Sequence, residues 1–178
     1  MSSALQVSSG ALLMFFGLLD VFLTVLYARA GTGLFSRFVC ALEWRVLRRV
    51  AKLFGRRAPF FLSLCGPVIV VSLIWWWALL LTSGAALIFH PYLGSAIAVS
   101  DGPTPTDFVS AMYAAANSMS IVGSSGFSPQ TSTFRLIFMF NSLVGMSVIS
   151  LTLTYLMQIY NALQERNSLE RVPDLVEG

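Results

Sequence analysis

Residues 120–129 read SIVGSSGFSP. The side chains of 120–126 are short or uncharged, and two of those residues are glycines. Such a backbone is free to point several carbonyl oxygens in one direction. Carbonyl oxygens and serine hydroxyls together can replace part of the water shell of a small cation. The bland reading is a small-residue turn. Other reactive residue types are sparse. Cys40 and Cys65 cannot build a disulfide framework and are expected reduced. His90 has no metal partner near it in sequence. No acid–base pair or activated nucleophile is visible, so an enzyme is not expected and no cofactor is implied.

The elements that must position this stretch lie in lipid. The chain has 178 residues, of which 56% are hydrophobic and only 11% charged, and its mean hydropathy is +0.77. A soluble domain of this size needs far more charge to cover its surface. Roughly 20 helical residues cross a hydrocarbon core of about 30 Å. Three stretches are long enough: residues 11–28, about 62–89 and about 136–163. The N-terminus lacks a basic region, so no signal peptide is evident.

Eight of the eleven basic residues fall within 29–57, against one acid there, Glu43. The positive-inside rule puts that segment in the cytoplasm. The N-terminus is then outside, the C-terminus is cytoplasmic, and the protein is expected in a plasma (inner) membrane. The clustered charge gives no reason to expect nucleic acid. Within 34–57, basic and apolar residues form separate stripes at spacings of three and four. This predicts an amphipathic helix on anionic lipid of the inner leaflet, or else a helix beneath the bundle with solvated charges. Asp20 is the only acid inside a span, a costly position in lipid. Protonation, a hydrogen bond to Thr24 or to a neighbouring helix, or contact with water would each lower that cost, and a structural role is expected. Trp75, Trp76 and Trp77 fall mid-span and are expected to pack between helices or against lipid.

Residues 90–106 read as an external loop rich in Pro, Gly and Ser. Thr104, Pro105 and Asp107 suggest a helix start, with Thr104 as its cap. The apolar run 108–119 has twelve residues, too few to span, and it ends in the 120–126 turn. Irregular backbone at membrane depth must be buried in protein or line water. Span, short helix, turn and span therefore predict a re-entrant loop with both ends outside.

The stretch SMSIVGSSGFSP at 118–129 resembles the pore signature of tetrameric potassium channels, T-x-T-T-V-G-Y-G-D-x-x-P. The match runs without a gap through Arg135 to Leu143–Gly145, and SAMY at 110–113 looks like the pore-helix DALY. The resemblance covers about 62–163. It implies an all-α membrane protein with three transmembrane helices, a re-entrant pore helix and a filter loop, assembled as a homotetramer. Residues 1–30 would be an extra N-terminal transmembrane helix, 31–60 a basic amphipathic helix, 61–163 the ion-channel domain, and 164–178 a cytoplasmic tail shortened relative to a bacterial channel subgroup. By the same resemblance the filter comprises Ser120, Ile121, Val122, Gly123, Ser124, Ser125 and Gly126, supported by Tyr113, Asn117 and Ser118. The only metal implied is a permeant cation, potassium or sodium, at the filter carbonyls.

Gly145 reads equally as an inner-helix hinge or as a close-packing position. Met146, Ile149, Leu153, Met157 and Asn161 share a helix face. The resemblance makes that face the cavity lining and gate; by pattern alone it is equally a helix–helix seam.

The filter departs from the family pattern. Ile121 removes a threonine hydroxyl, Ser124 replaces the bracing tyrosine, and Gly126 replaces the anchoring aspartate. Ser125 replaces a glycine at a position resembling one with positive φ, where a non-glycine costs about 1–2 kcal/mol. The inner half, around Val122 and Gly123, is expected to keep one or two carbonyl rings, with a wider, wetter outer half. A weakly selective or non-selective monovalent cation channel follows. Three alternatives stay open: a potassium-selective channel despite the changed letters, a non-conducting scaffold or sensor of channel fold, and a filter register like that of Trk/Ktr/HKT transporters.

Overall fold

The computed structural model of the protein describes residues 3–26, 35–53, 58–100, 102–120 and 126–171, with side chains described outside 50–67, 162–163 and 165–171. It is an all-α membrane protein with one short two-stranded ribbon. Among the described residues five α-helices run α1 (Ser3–Leu26), α2 (Ser36–Leu53), α3 (Ala58–Phe89), α4 (Phe108–Met119) and α5 (Ser132–Arg171). Strands β1 (Ile97–Val99) and β2 (Phe127–Pro129) flank α4. Stretches within α1, α5 and the α3 region, namely Ser3–Val25, Ser132–Asn161 and Val68–Tyr92, are long and apolar enough to cross a membrane. Each overlaps one of the apolar runs read from sequence.

Close backbone approach sets the pairing of α1 with α3. A methyl group on Gly10 would lie 2.6 Å from the Gly84 carbonyl oxygen, and one on Gly17 would lie 3.0 Å from Leu81 Cδ2. Glycine at both positions lets α1 seat on α3 as small residues do in membrane helix pairs. The pairs Gly10–Gly84, Gly17–Leu81 and Asp20–Trp77 show that the two helices are antiparallel. Aromatic contacts join α3 to α5 in the same sense. Phe89 stacks on Phe138 at 4.8 Å and meets Phe134 edge-on, and Trp77 meets Tyr155.

The core has two parts. One gathers Phe89, Ile97, Met119, Phe134 and Val144 around the buried alanines of α4. The other gathers Val21, Val25, Leu73 and Trp77 with Leu151 and Tyr155. Beside the second lies Asp20, fully buried. Its Oδ1 accepts from the backbone N–H groups of Phe35 (2.8 Å) and Ser36 (3.3 Å), and its Oδ2 from Ser36 Oγ (2.5 Å) and Trp77 Nε1 (2.9 Å). Three of those four partners are obligate donors, and both carboxyl oxygens accept from them. Asp20 thereby caps the start of α2 from another helix and ties α1, α2 and α3 together. The structural role expected from sequence stands. Thr24, named as a candidate partner, reaches the Asp20 carbonyl at 2.7 Å and Ser36 Oγ at 3.0 Å. Of the three tryptophans Trp77 is buried, while Trp75 and Trp76 are exposed.

Candidate functional site

Helix α4 starts at Asp107, which accepts from Ser110 N (3.0 Å) and Ser110 Oγ (2.7 Å). These bonds hold its carboxyl below the usual carboxylate range, the side-chain bond from Ser110 being the larger cause. The cap expected at Thr104 is therefore corrected. Thr104 Oγ1 accepts from Val99 N at 3.1 Å, which commits it to the loop. Buried positions on α4 are Ala111, Ala114, Ala115, Ser118 and Met119, a helical stripe at spacings of three and four. Most of these side chains are small, so α4 packs closely against its neighbours.

The ribbon closes the segment around α4. Ile97 pairs with Pro129 and Val99 with Phe127, antiparallel. Ser100 N donates to the Gly126 carbonyl at 2.9 Å, and Gln130 N to that of Ala96 at 2.8 Å. Phe127 lies edge-on to Tyr113, 6.2 Å between ring centres, six residues before the end of α4. The ribbon therefore joins the residues that precede α4 to those that follow it. Gly126, at φ +72°, takes the left-handed turn into β2, a conformation open to glycine at little cost.

The inner end of α4 is gripped by α5. Asn141 Nδ2 donates to Ser118 Oγ at 2.5 Å, and Ser118 Oγ donates in turn to the Ala115 carbonyl at 2.8 Å. One turn further along, Gly145 faces Met119 so closely that a methyl group there would sit 2.0 Å from the Met119 carbonyl oxygen. Gly145 is thus a close-packing residue in this arrangement.

Of the filter residues read from sequence, Ile121, Val122, Gly123, Ser124 and Ser125 lie outside the described residues. Ser120 ends α4 with φ −75° and ψ 150°, its N–H still bonded to Ala116 and Asn117. Of the support residues, Ser118 is buried in the grip. Asn117 Nδ2 turns back to the Tyr113 carbonyl at 2.9 Å. Tyr113 is exposed apart from its contact with Phe127. Met146, Ile149, Leu153 and Met157 are 40–60% exposed on one face of α5, and Asn161 is exposed beyond them.

Asn141 and the β1–β2 ribbon were missed in the sequence. Asn141 carried a signal, being an amide set among apolar residues four residues before Gly145 and so on the same helix face. Three-residue strands carry too little alternation to be read.

No family model matches the chain, and no solved structure matches it. It is 25% identical over 164 residues to a Bacillus subtilis (strain 168) protein named "Uncharacterized membrane protein YdjJ". The match covers 90% of this chain but 46% of that protein, so the chain spans about half the length of its curated relative.

Proposed function

We propose that the protein is the pore-forming subunit of a homotetrameric, potassium-channel-like cation channel with weak or no selection between potassium and sodium. The observation that carries this reading is the closed segment 97–129. A twelve-residue helix lies within it, and a β ribbon pairs the residues on either side of that helix. Backbone in such a loop lies at membrane depth only if it is buried in protein or lines water.

The end of α4 presents the negative pole of its helix dipole to residues 120–126, which favours a cation there. Carbonyls of Val122 and Gly123 would coordinate it, with serine hydroxyls of 124 and 125 in a wetter outer half. One loop cannot enclose a path, so several copies are required, and the resemblance to tetrameric channels makes that number four. The third candidate span is the least covered, 17% buried against 33% for each of the others. Its exposed face carries Met146, Ile149, Leu153 and Met157, an apolar lining able to gate by dewetting.

In this reading α2 lies on the inner leaflet of a plasma membrane, Arg45, Arg48 and Arg49 meeting anionic headgroups while Phe38, Leu42 and Val46 stay apolar and exposed. The N-terminus is outside and the C-terminus cytoplasmic.

Bi-ionic reversal potentials of the purified protein in bilayers test the proposal. A reversal potential near zero with measurable current is expected. A strongly potassium-selective shift would refute the weak-selectivity claim. Absence of cation flux across pH, voltage and calcium would favour the non-conducting scaffold.

A further inference from the structure

Helix α2 opens where Asp20 and Trp77 meet, since Asp20 holds Ser36 through both carboxyl oxygens and Trp77 Nε1 through Oδ2. Asp20 stands five residues before the end of the span Ser3–Val25, and Trp77 nine residues after the start of Val68–Tyr92. At about 1.5 Å per residue these depths are about 8 and 13 Å. Both spans exceed a hydrocarbon core of about 30 Å by a few ångströms. The first turn of α2 therefore lies about 5–10 Å inside the hydrocarbon, on the side of the basic segment.

Chain length fixes the direction α2 takes from there. Its 18 residues reach about 26 Å. Ala58, the first residue of α3, stands nineteen residues before Trp77, about 29 Å down the helix. Five residue steps join Leu53 to Ala58 and reach at most about 18 Å. Laid across α3 at a right angle from the level of Trp77, α2 would carry Leu53 about 38 Å from Ala58. Only a helix running back along α3, antiparallel to it, closes the connection. Val39 and Glu43 accordingly border one groove with Val71, Trp75 and Leu79 of α3.

This placement explains the buried acid. The opening amides of a helix have no partner within it. Water supplies one at a surface, and lipid does not. Asp20 Oδ1 instead takes the N–H groups of Phe35 and Ser36. The outward side chains of α2 change with depth in the same direction. Phe38 and Leu42, 65% and 46% exposed, leave it within about 9 Å of Ser36. Arg45, Arg48 and Arg49, all exposed, follow about 14–20 Å from Ser36, in or just beyond the headgroups. Arg37 leaves the first turn about 100–140° round the axis from Phe38 and Leu42, and its long stem carries the charge toward the headgroups.

We propose that α2 is half-inserted. Its first two turns stand within the leaflet beside α3, Phe38 and Leu42 meeting acyl chains, while its basic end meets anionic headgroups. This deepens the leaflet contact proposed above for α2, and it does not depend on the chain being a pore.

Depth-dependent fluorescence quenching of the full chain in vesicles tests this. Phe38, Leu42 and Arg49 lie within about 40° of one another round α2, so a helix flat on the leaflet holds all three at one depth. Bimane is attached to Phe38→Cys, Leu42→Cys or Arg49→Cys in a Cys40→Ala/Cys65→Ala background, in phosphatidylcholine–phosphatidylglycerol vesicles. Brominated acyl chains should quench most at 38 and least at 49, and aqueous iodide in the reverse order. The depths at 38 and 49 should differ by about 12–16 Å. Asp20→Ala should shrink that difference, and an unchanged gradient there would overturn the role given to the cap. Where Asp20→Ala fails to fold, the gradient in the chain that keeps Asp20 still decides the insertion. Equal depths at all three sites would overturn the half-inserted helix and leave the leaflet contact standing. A label at 38 shielded from both quenchers would overturn the acyl-chain contact in favour of a second copy on that face. No quenching by brominated lipid at any site would overturn both the insertion and the leaflet contact.

Discussion

Gly145→Ala is expected to destabilise the protein by displacing the inner end of α4. The added methyl carbon would start 2.0 Å from the Met119 carbonyl oxygen, 2.8 Å from its carbon and 3.0 Å from its Cα. Real contacts of this kind essentially never fall below 3.0 Å, so the two backbones must separate by at least 1.0 Å, the difference between 3.0 and 2.0 Å. The obstacle is backbone, and no rotamer change relieves it. Overpacking of this kind costs about 1–3 kcal/mol, and the backbone displacement puts Gly145→Ala at the upper end. The same movement would stretch the Asn141–Ser118 bond one turn away. The assay is thermal unfolding of the purified protein in detergent, run beside Met119→Ala and the double variant. A packing role predicts a lower Tm for Gly145→Ala that Met119→Ala does not rescue, because trimming the side chain leaves the carbonyl in place. A hinge role predicts an unchanged Tm with altered opening. An unchanged Tm, or full rescue by Met119→Ala, would refute the packing argument.

Asp20→Ala should free the start of α2, since each buried donor left unpaired costs about 1–3 kcal/mol and Phe35 N, Ser36 N and Trp77 Nε1 would all lose their acceptor; hydrogen exchange at the Phe35 and Ser36 amides should accelerate, and unchanged protection would count against the cap. Asp107 has a depressed pKa in the folded chain, so its contribution is present above the unfolded carboxylate pKa and is lost as pH falls through the folded value. Amide exchange at Ser110 should therefore rise on acidification below the ordinary carboxylate range, and Asp107→Asn should flatten that dependence; an identical acid response in the variant would refute it. Burial, then the charges of Glu43 and Asp20, push the Cys40 thiol up. In a Cys65→Ser background its alkylation rate should reach half-maximum at a higher pH than that of a free thiol, and a profile at or below the free-thiol value would contradict the burial.

The apolar runs, the basic cluster and the short helix before SIVGSSGFSP were legible in the sequence because each depends on local properties. Length against bilayer thickness, hydropathy and the 3.6-residue period can be read within a window of about twenty residues. That is why α1, α3 and α5 fall where the hydropathy places them, and why α4 emerged as a helix too short to span. Asp20 also stood out locally, as one acid in a run of apolar residues. Its partners did not, because Phe35, Ser36 and Trp77 lie fifteen to fifty-seven residues away and meet it only through helix packing. The Thr104 cap failed for a different reason, a local competition: its hydroxyl accepts from the Val99 N–H five residues earlier in the loop.

At Gly145 the sequence left hinge and packing equally open, and only the position of the Met119 carbonyl established the close contact. The β1–β2 ladder joins residues about thirty apart through backbone hydrogen bonds, which carry almost no side-chain signature. The sequence by itself determined which segments enter the membrane, through hydrophobicity and charge. The tertiary structure decided how the segment around α4 is closed and which α5 residues grip it, because those contacts depend on ångström-scale distances between helices that no local pattern encodes.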